Sequence, residues 1–214
     1  MLRSLDEEIL DGDDVPEATR ARAHRALSRT HALLGNHALI LRAIRRDGGN
    51  VKRVLDIGCG HGELMQKVRR CTGADVVGVD LRPPAGGPLA ACIFRLDAVR
   101  NALPEADVAV SVCMAHHLAD DDLVEMIRNV GRSCGRLLLL DVVRHRVPFL
   151  LFSVLGPFVL PRINVLDGRQ SIRRACTAPE FRALTARALD GSGATVRHTL
   201  TPPWIRQLAD IRYA

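Results

Sequence analysis

The sequence predicts an α/β domain with a doubly wound, mostly parallel sheet of seven strands. Short apolar runs alternate with amphipathic helical stretches across residues 52–145, and the first run leads into a glycine-rich turn. Strands of a parallel sheet are buried on both faces, so they read as continuous apolar runs separated by helices. With 214 residues, the chain is long enough to form one such domain with its own hydrophobic core. We therefore expect a single domain over residues 1–214.

A helical cap is expected over residues 1–48, ahead of the sheet. Apolar residues recur there every three to four positions, and Gly35 and Asn36 divide the run into two helices. The acidic residues 1–14 are expected to fray, and the letters DGGN at 47–50 indicate a turn. The core follows at 49–146, and its strand-like runs are VKRVLDIG, DVVGVDL, AACIFRLDA, ADVAVSVCMA and RLLLLDVV.

An apolar insertion is expected at 147–170, after the fifth strand. Its longest uninterrupted apolar stretch is too short to span a bilayer. Three interpretations are open: a core-packing helix, a lid over a substrate pocket, or a contact with a membrane surface. We favour the lid, because a core helix seldom carries so many helix-breaking residues. These residues are Pro148, Gly156, Pro157 and Pro161.

The C-terminal part of the core, residues 171–214, is expected to begin with a helix and to end with two strands. Thr177 is the expected N-cap of the helix, and Glu180 completes a capping box with it. The letters TVRHTL and WIRQLADI predict the two strands, although they are shorter and less regularly patterned than the others.

Charge and composition argue against several classes of partner. The formal net charge is +6, but the basic residues are scattered among acids, and aromatic residues make up only 3% of the chain, which leaves few stacking platforms for nucleic-acid bases. The six cysteines are widely spaced and no Cys/His cluster has zinc spacing, so no metal site is predicted. The N-terminus lacks the layout of a signal peptide. We expect a cytoplasmic protein with no nucleic-acid partner and no stable membrane span, and we leave a homodimer open.

The glycine-rich turn in VLDIGCGHGEL, residues 54–64, is the most informative stretch for function. A strand, a glycine turn and a helix in this order are typical of nucleotide sites in doubly wound folds. Gly58, Gly60 and Gly62 lack the spacing of a dinucleotide fingerprint, whose third glycine would stand at the position of Glu63. The turn therefore indicates a nucleotide-like ligand of another kind.

Two carboxylates flank the turn and select its ligand. Asp56 ends the strand and Glu63 begins the helix, where a pyrophosphate would otherwise bind, and both would repel it. A cationic ligand is favoured instead, and S-adenosylmethionine carries an ammonium and a sulfonium beside its ribose. Asp80, at the end of the second strand, can accept hydrogen bonds from both ribose hydroxyls. The sequence thus predicts S-adenosylmethionine as the cofactor.

A series of motifs extends this prediction over residues 52–145. In order they are VLDIGCGHGEL, VVGVDL, LDA, ADVAVSVCMAHHL and GRLLLLDVV, and together they resemble the successive motifs of class I S-adenosylmethionine-dependent methyltransferases. The resemblance implies a Rossmann-like fold. The flanking segments RTHALLGNHALILRAIRR and DGRQSIRRACTAPEFRAL further resemble small bacterial methyltransferases that act on phenolic, polyketide or quinone-like products.

The resemblance also implies a set of cofactor-binding residues. Asp56 and the first glycines of the turn would surround the methionine part, and Asp80 would bind the ribose. The complete set is Asp56, Gly58, Cys59, Gly60, Asp80, Leu81, Asp97, Ala98, Val112 and Met114.

The histidines in MAHHL, residues 114–118, are the candidate catalytic residues. They follow the fourth strand at the edge of the sheet where the methyl group is expected, and imidazole titrates near neutral pH. We favour His117 over His116 as the base; the alternative is that both are structural. The expected substrate contacts are His145, Phe149, Phe152 and Phe158.

The expected function is transfer of a methyl group to a small lipophilic acceptor, such as a phenolic hydroxyl of an aromatic polyketide-type secondary metabolite. One alternative is carbon methylation of a quinone precursor. Two others belong to different classes: a nicotinamide-dependent oxidoreductase and a non-catalytic, methyltransferase-like partner.

Overall fold

The strands form one seven-stranded sheet. The computed structural model describes residues 1–12, 14–46, 51–202 and 204–214, so the turn predicted at 47–50 lies outside the described residues. The strands are β1 (Arg53–Ile57), β2 (Asp75–Asp80), β3 (Ile93–Arg95), β4 (Val108–Val112), β5 (Arg136–Val142), β6 (Thr195–Thr201) and β7 (Arg206–Arg212). Their order is β3-β2-β1-β4-β5-β7-β6, and β7 pairs antiparallel with both of its neighbours. The predicted fold class is confirmed, although the third strand is only three residues long.

Helices cover both faces of the sheet. They are α1 (Glu17–Leu33), α2 (Asn36–Arg45), α3 (Glu63–Thr72), α4 (Asp120–Gly131), α5 (Arg146–Val159), α6 (Arg162–Arg174) and α7 (Ala178–Leu189). Successive side chains of β1 point to opposite faces of the sheet. Val54 packs with α2 and α3 on one face, whereas Leu55 packs with α4 and α7 on the other. This division follows from the two-residue period of a strand and makes the sheet buried on both sides.

Two predicted helix boundaries are confirmed by their local geometry. Gly35 adopts a left-handed conformation with φ of 70° and separates α1 from α2. At the start of α7, the Thr177 hydroxyl accepts a hydrogen bond from the Glu180 backbone N–H, and the Glu180 carboxylate accepts one from the Thr177 N–H. The capping box is therefore complete.

A buried ion pair joins the C-terminal strands to the parallel sheet. The Arg136 guanidinium in β5 donates two hydrogen bonds of 2.8 Å to the Asp210 carboxylate in β7. The same guanidinium donates to the Ala43 carbonyl in α2. Burial by itself would raise the pKa of Asp210, but the bonds from Arg136 outweigh it and hold the pKa below its ordinary value. The pair ties β5, β7 and α2 together at one point.

Residues 1–12 are ordered against α6, whereas the sequence predicted that residues 1–14 would fray. Residues 1–12, which we call the N-terminal strap, lie against α6. The buried carboxylate of Asp167 accepts hydrogen bonds from the Ile9 and Leu10 N–H groups at 2.8 and 3.0 Å. The Ser4 N–H donates to the Arg173 carbonyl. The prediction failed because the partners of these residues lie more than 150 positions later in the chain.

The segment from 147 to 170 folds into helix despite its breakers. Pro148 lies in the first turn of α5, where an N–H needs no helical partner, and Pro161 is the N-cap of α6. Of these three prolines, only Pro157 lies in the interior of a helix. Helix α6 continues past residue 170 to Arg174. In the described part of the chain, each helix is too short or too polar to cross a bilayer.

Much of the apolar surface of α5 is exposed, which a core-packing helix would not allow. Phe152 packs on α6 next to Gly168, where a Cβ atom would lie 2.4 Å from its ring. The apolar side chains left exposed are Leu150, Leu151, Val154, Leu155, Phe158 and Val159. The lid interpretation of this segment stays a prediction.

Candidate active site

The glycine turn is pinned to the end of the second strand. The Gly58 N–H donates to the Val79 carbonyl at 2.8 Å. Gly58 and Gly60 have φ values of 69° and 52°, a region that favours glycine. A Cβ atom at Gly58 would lie 2.7 Å from the Met114 Cγ, whereas a Cβ atom at Gly60 would enter open space. The backbone at Gly60 can therefore be approached closely by a ligand.

Gly78, in β2, leaves room for the side chains of Cys59 in the turn and Met65 in α3. A Cβ atom on Gly78 would lie 2.6 Å from the Cys59 Sγ and 2.8 Å from the Met65 Sδ. We expect Gly78→Ala to displace the turn, to lower the free energy of unfolding by roughly 1–3 kcal/mol, and to weaken binding of S-adenosylhomocysteine. Chemical denaturation and calorimetry measure the two effects. Gly86→Ala, whose Cβ would meet nothing within 4 Å, is the control, and equal behaviour of both variants would contradict the prediction.

Asp80 connects the turn to the end of β2. Its Oδ2 accepts a hydrogen bond from the Gly60 N–H at 2.8 Å, and its Oδ1 accepts one from the Arg82 N–H at 2.8 Å. Each carboxylate oxygen has a second acceptor site. The geometry leaves Asp80 able to accept further hydrogen bonds from a ligand beside Gly60.

Asp56 is a buried acid with an unsatisfied oxygen. Its side chain is 4% exposed, and no described residue donates a hydrogen bond to its Oδ2. Burial, together with the nearby carboxylates of Asp80 and Glu63, raises the pKa of Asp56 to about 8. The negative charge of Asp80 and Glu63 disfavours phosphate at this point, and a bound cation would favour the ionised form of Asp56. The residues present therefore fit the ammonium and sulfonium of S-adenosylmethionine.

The remaining predicted cofactor residues lie at the same edge of the sheet, since β1, β2, β3 and β4 run parallel. Leu81 is exposed directly after β2. The Asp97 carboxylate already accepts hydrogen bonds from the Val99 N–H and from Arg100, and the Ala98 carbonyl accepts one from Asn129. Val112 is the last residue of β4 and Met114 follows the strand; both are partly buried. Their contact with a cofactor stays a prediction.

His116 is buried between two carboxylates. Its Nδ1 lies 2.7 Å from the Asp141 Oδ1, and its Nε2 lies 3.4 Å from the Glu8 Oε1. Burial alone would lower the pKa of His116, but the carboxylates of Asp141 and Glu8 outweigh it and raise the pKa to about 10. In this state His116 carries a positive charge at neutral pH, which does not suit a general base.

His117 is the more accessible of the pair, with 30% of its side chain exposed. Its Nδ1 lies 2.9 Å from the Asp11 Oδ2, and its ring lies 4.4 Å from that of His116. Arg174 donates hydrogen bonds to the main-chain carbonyls of both histidines and fixes the turn that carries them. This geometry leaves His117 the only one of the two with a substantial solvent-facing surface.

The four predicted substrate residues have four different surroundings. The His145 ring stacks on Trp204 with centroids 5.2 Å apart, and its Nδ1 caps α5. Phe149 lies under the Arg173 guanidinium at 5.5 Å. Phe152 packs on Gly168 and Phe158 is 82% exposed. The structure does not collect them around one cavity, and their contact with an acceptor stays a prediction.

A family model decides the class of the protein. The model of a family described as "Methyltransferase domain" matches residues 20–175, which include the glycine turn, Asp80 and the histidine pair. The chain belongs to this methyltransferase family. Membership supports S-adenosylmethionine, the cofactor predicted from the glycine turn, over a nicotinamide. Among curated proteins, none matches the sequence at a significant level.

Solved methyltransferases share the fold of this methyltransferase at low sequence identity. The plantazolicin methyltransferase BpumL, in complex with a monoazolic desmethylPZN analog and SAH, is 12% identical with a TM-score of 0.69, over 92% of this chain and 90% of BpumL. The mitomycin 7-O-methyltransferase MmcR is 23% identical with a TM-score of 0.65, over 96% of this chain and 60% of MmcR. Human N-acetylserotonin methyltransferase, in complex with SAM, is 17% identical with a TM-score of 0.62, over 90% and 56% of the two chains.

Three acids beside the histidines were missed by the sequence analysis. Asp141 interrupts the run RLLLLDVV one residue before β5 ends, and an acid near the carboxyl end of a parallel strand is a signal that could have identified it. Glu8 and Asp11 belong to the N-terminal strap, and nothing in their spacing relates them to residues 116 and 117. Only the folded chain brings these acids together.

Proposed function

We propose that this methyltransferase transfers a methyl group to the phenolic hydroxyl of a small, lipophilic aromatic molecule of the polyketide type. The observation that carries the proposal is the position of the histidine pair. The pair follows β4, whose parallel neighbour β1 leads into the glycine turn, so both lie at the carboxyl edge of the sheet. Ligands of open α/β sheets bind at this edge.

On the cofactor side, the proposed contacts follow from charge. S-adenosylmethionine supplies a methyl group on a sulfonium and leaves as S-adenosylhomocysteine. Asp56 would face the cationic methionine part, because its unsatisfied oxygen lies beside the turn. Asp80 would bind the ribose with its remaining acceptor sites. The bare backbone at Gly60 would allow the close approach that these contacts need.

On the acceptor side, His117 is the proposed contact of the hydroxyl, since it is the more exposed histidine. Exposed apolar residues of α5, such as Leu151 and Leu155, would cover a lipophilic acceptor when the segment acts as a lid. MmcR, one of the proteins with the same fold, is an O-methyltransferase by name. This supports oxygen as the accepting atom.

Product analysis tests the proposal directly. The protein is incubated with S-adenosylmethionine carrying an isotope-labelled methyl group and with a panel of phenols and quinols, and the products are analysed by mass spectrometry and NMR. We expect label on a phenolic oxygen. Label on ring carbon would favour the quinone-precursor alternative. Absence of both transfer and S-adenosylhomocysteine binding would indicate a non-catalytic partner.

The pH dependence of cofactor binding tests the role of Asp56. In the protein without cofactor, the Asp56 carboxyl is mostly neutral below pH 8, because its pKa is raised to about 8. A bound cation would lower that pKa. Binding then releases a proton, so affinity for S-adenosylhomocysteine should increase from pH 6 to about pH 8, by up to about tenfold per pH unit, and level off above it. Calorimetry in buffers of different ionisation enthalpy measures the released proton. Asp56→Asn should abolish that increase, and an identical profile in the variant would remove Asp56 from the cation site.

A further inference from the structure

We propose that Glu8, His116 and His117 form a binding site for one divalent first-row transition-metal ion. Among the described residues, one nitrogen of each histidine and one oxygen of Glu8 lie within 4.8 Å of one another. Two imidazole nitrogens and a carboxylate are the protein ligands of many catalytic zinc and non-haem iron sites. The site departs from the sequence prediction that the protein has no metal site.

The distances between the donor atoms are close to those of a metal centre. The Glu8 Oε1 lies 3.4 Å from the His116 Nε2 and 3.9 Å from the His117 Nε2. Ligands at about 2.0 Å from a tetrahedral zinc ion are roughly 3.3 Å apart. A movement of about 0.6 Å would bring the Glu8 Oε1 and the His117 Nε2 to the separation expected of two ligands of one zinc ion. Three ligands leave at least one coordination position open.

The surroundings of the donors are those that metal-binding histidines require. A ligating histidine almost always donates its other ring N–H to a carboxylate or carbonyl, which fixes the ring and its tautomer. Here the Nδ1 of His116 faces Asp141 at 2.7 Å, and the Nδ1 of His117 faces Asp11 at 2.9 Å. Both Nε2 atoms are therefore turned toward Glu8. This outer shell is independent of the distances among the three ligands.

Charge and support complete the site. The carboxylates of Glu8, Asp11 and Asp141 concentrate negative charge around the two rings. The nearby cation is Arg174, whose guanidinium donates to a main-chain carbonyl of the turn. This negative charge would offset the positive charge of a bound metal ion. The Ser171 hydroxyl donates to the Glu8 Oε1 at 2.6 Å and holds that carboxylate in position. The partly exposed His117 provides a route for the ion.

A metal at this point would act on the hydroxyl of the acceptor. An oxygen bound to a divalent cation loses its proton more readily, because the cation stabilises the anion. This use of the site rests on the proposed function, whereas binding of the ion does not. A test of binding alone therefore separates the two proposals.

Metal titration of the full chain tests the site without cofactor or acceptor. We expect the chelator-treated protein to bind one equivalent of Zn²⁺, measured by equilibrium dialysis with elemental analysis, and to give with Co²⁺ a visible absorption band that Zn²⁺ removes. Glu8→Gln and His117→Gln should each weaken zinc binding at least tenfold. Asp141→Asn, a positioning substitution, should weaken it by about 10- to 100-fold.

Matched controls make the outcome decisive. Glu7→Gln changes the exposed neighbour of Glu8, and His198→Gln changes a histidine that contacts Thr185 instead of the cluster. Both should bind zinc like the parent protein. Less than one equivalent at micromolar zinc, or equal affinity of Glu8→Gln and Glu7→Gln, would overturn the site and leave a hydrogen-bonded link to the N-terminal strap. Circular dichroism checks that each variant is folded.

Discussion

Asp80→Ala should weaken binding of S-adenosylhomocysteine by about 10- to 150-fold, which corresponds to loss of a charged hydrogen bond of roughly 1.5–3 kcal/mol. Two effects combine in this variant. The ribose loses its proposed acceptor, and the Gly60 N–H loses the carboxylate that orients it. Since the Gly60 backbone is the part of the turn open to close approach, both effects act on the same ligand.

Isothermal titration calorimetry with S-adenosylhomocysteine measures this change. Asp75→Ala is the matched control, because Asp75 is an exposed acid at the opposite end of the same strand. Asp80→Asn adds a finer comparison: it keeps an acceptor oxygen but loses the charge, so its affinity should lie between those of the parent and Asp80→Ala. Unchanged affinity in Asp80→Ala would remove the ribose assignment.

Asp210→Asn should lower the free energy of unfolding by about 3–5 kcal/mol, the usual cost of removing one partner of a buried ion pair. Arg136 and Asp210 are 5% and 6% exposed, so water cannot replace the lost carboxylate at full value. The pair also reaches α2 through the Ala43 carbonyl, so the damage should extend beyond the two strands. Urea denaturation followed by circular dichroism measures the loss.

The controls distinguish the ion pair from a general effect of charge. Asp190→Asn removes an exposed acid just after α7 and should change stability by less than about 0.5 kcal/mol. The double variant Arg136→Met and Asp210→Leu replaces both partners with apolar groups, and it should recover most of the loss. A single variant Asp210→Asn as stable as the parent would mean that packing alone holds β7 against β5.

The parts of the fold that depend on residues close together in the sequence could be predicted. The strand Arg53–Ile57 and the glycine turn after it are set by local preferences, namely apolar β-branched residues followed by glycines with positive φ. The capping box at Thr177 needs only four consecutive residues. The position of Asp80 also followed, because the carboxyl ends of parallel strands meet at one edge.

The candidate site was less predictable because its polar partners are distant in sequence. Glu8 and His116 are 108 positions apart, and the strap that carries Glu8 lacks the apolar periodicity of a helix or strand. Its order comes from Asp167 and Ser171 of α6. The surroundings of Phe152 likewise depend on a single glycine of α6, which no pattern within α5 could reveal.

The N-terminal strap has a consequence for the order in which the protein can mature during synthesis. Glu8 and Asp11 leave the ribosome first, but Asp167, which holds the strap, and Arg174, which holds the histidine turn, leave it more than 150 residues later. The nascent chain therefore carries the two histidines before Glu8 and Asp11 can be fixed beside them. Assembly of the histidine–carboxylate cluster thus reports that α6 has emerged and docked, so a nascent chain stalled before α6 should lack it.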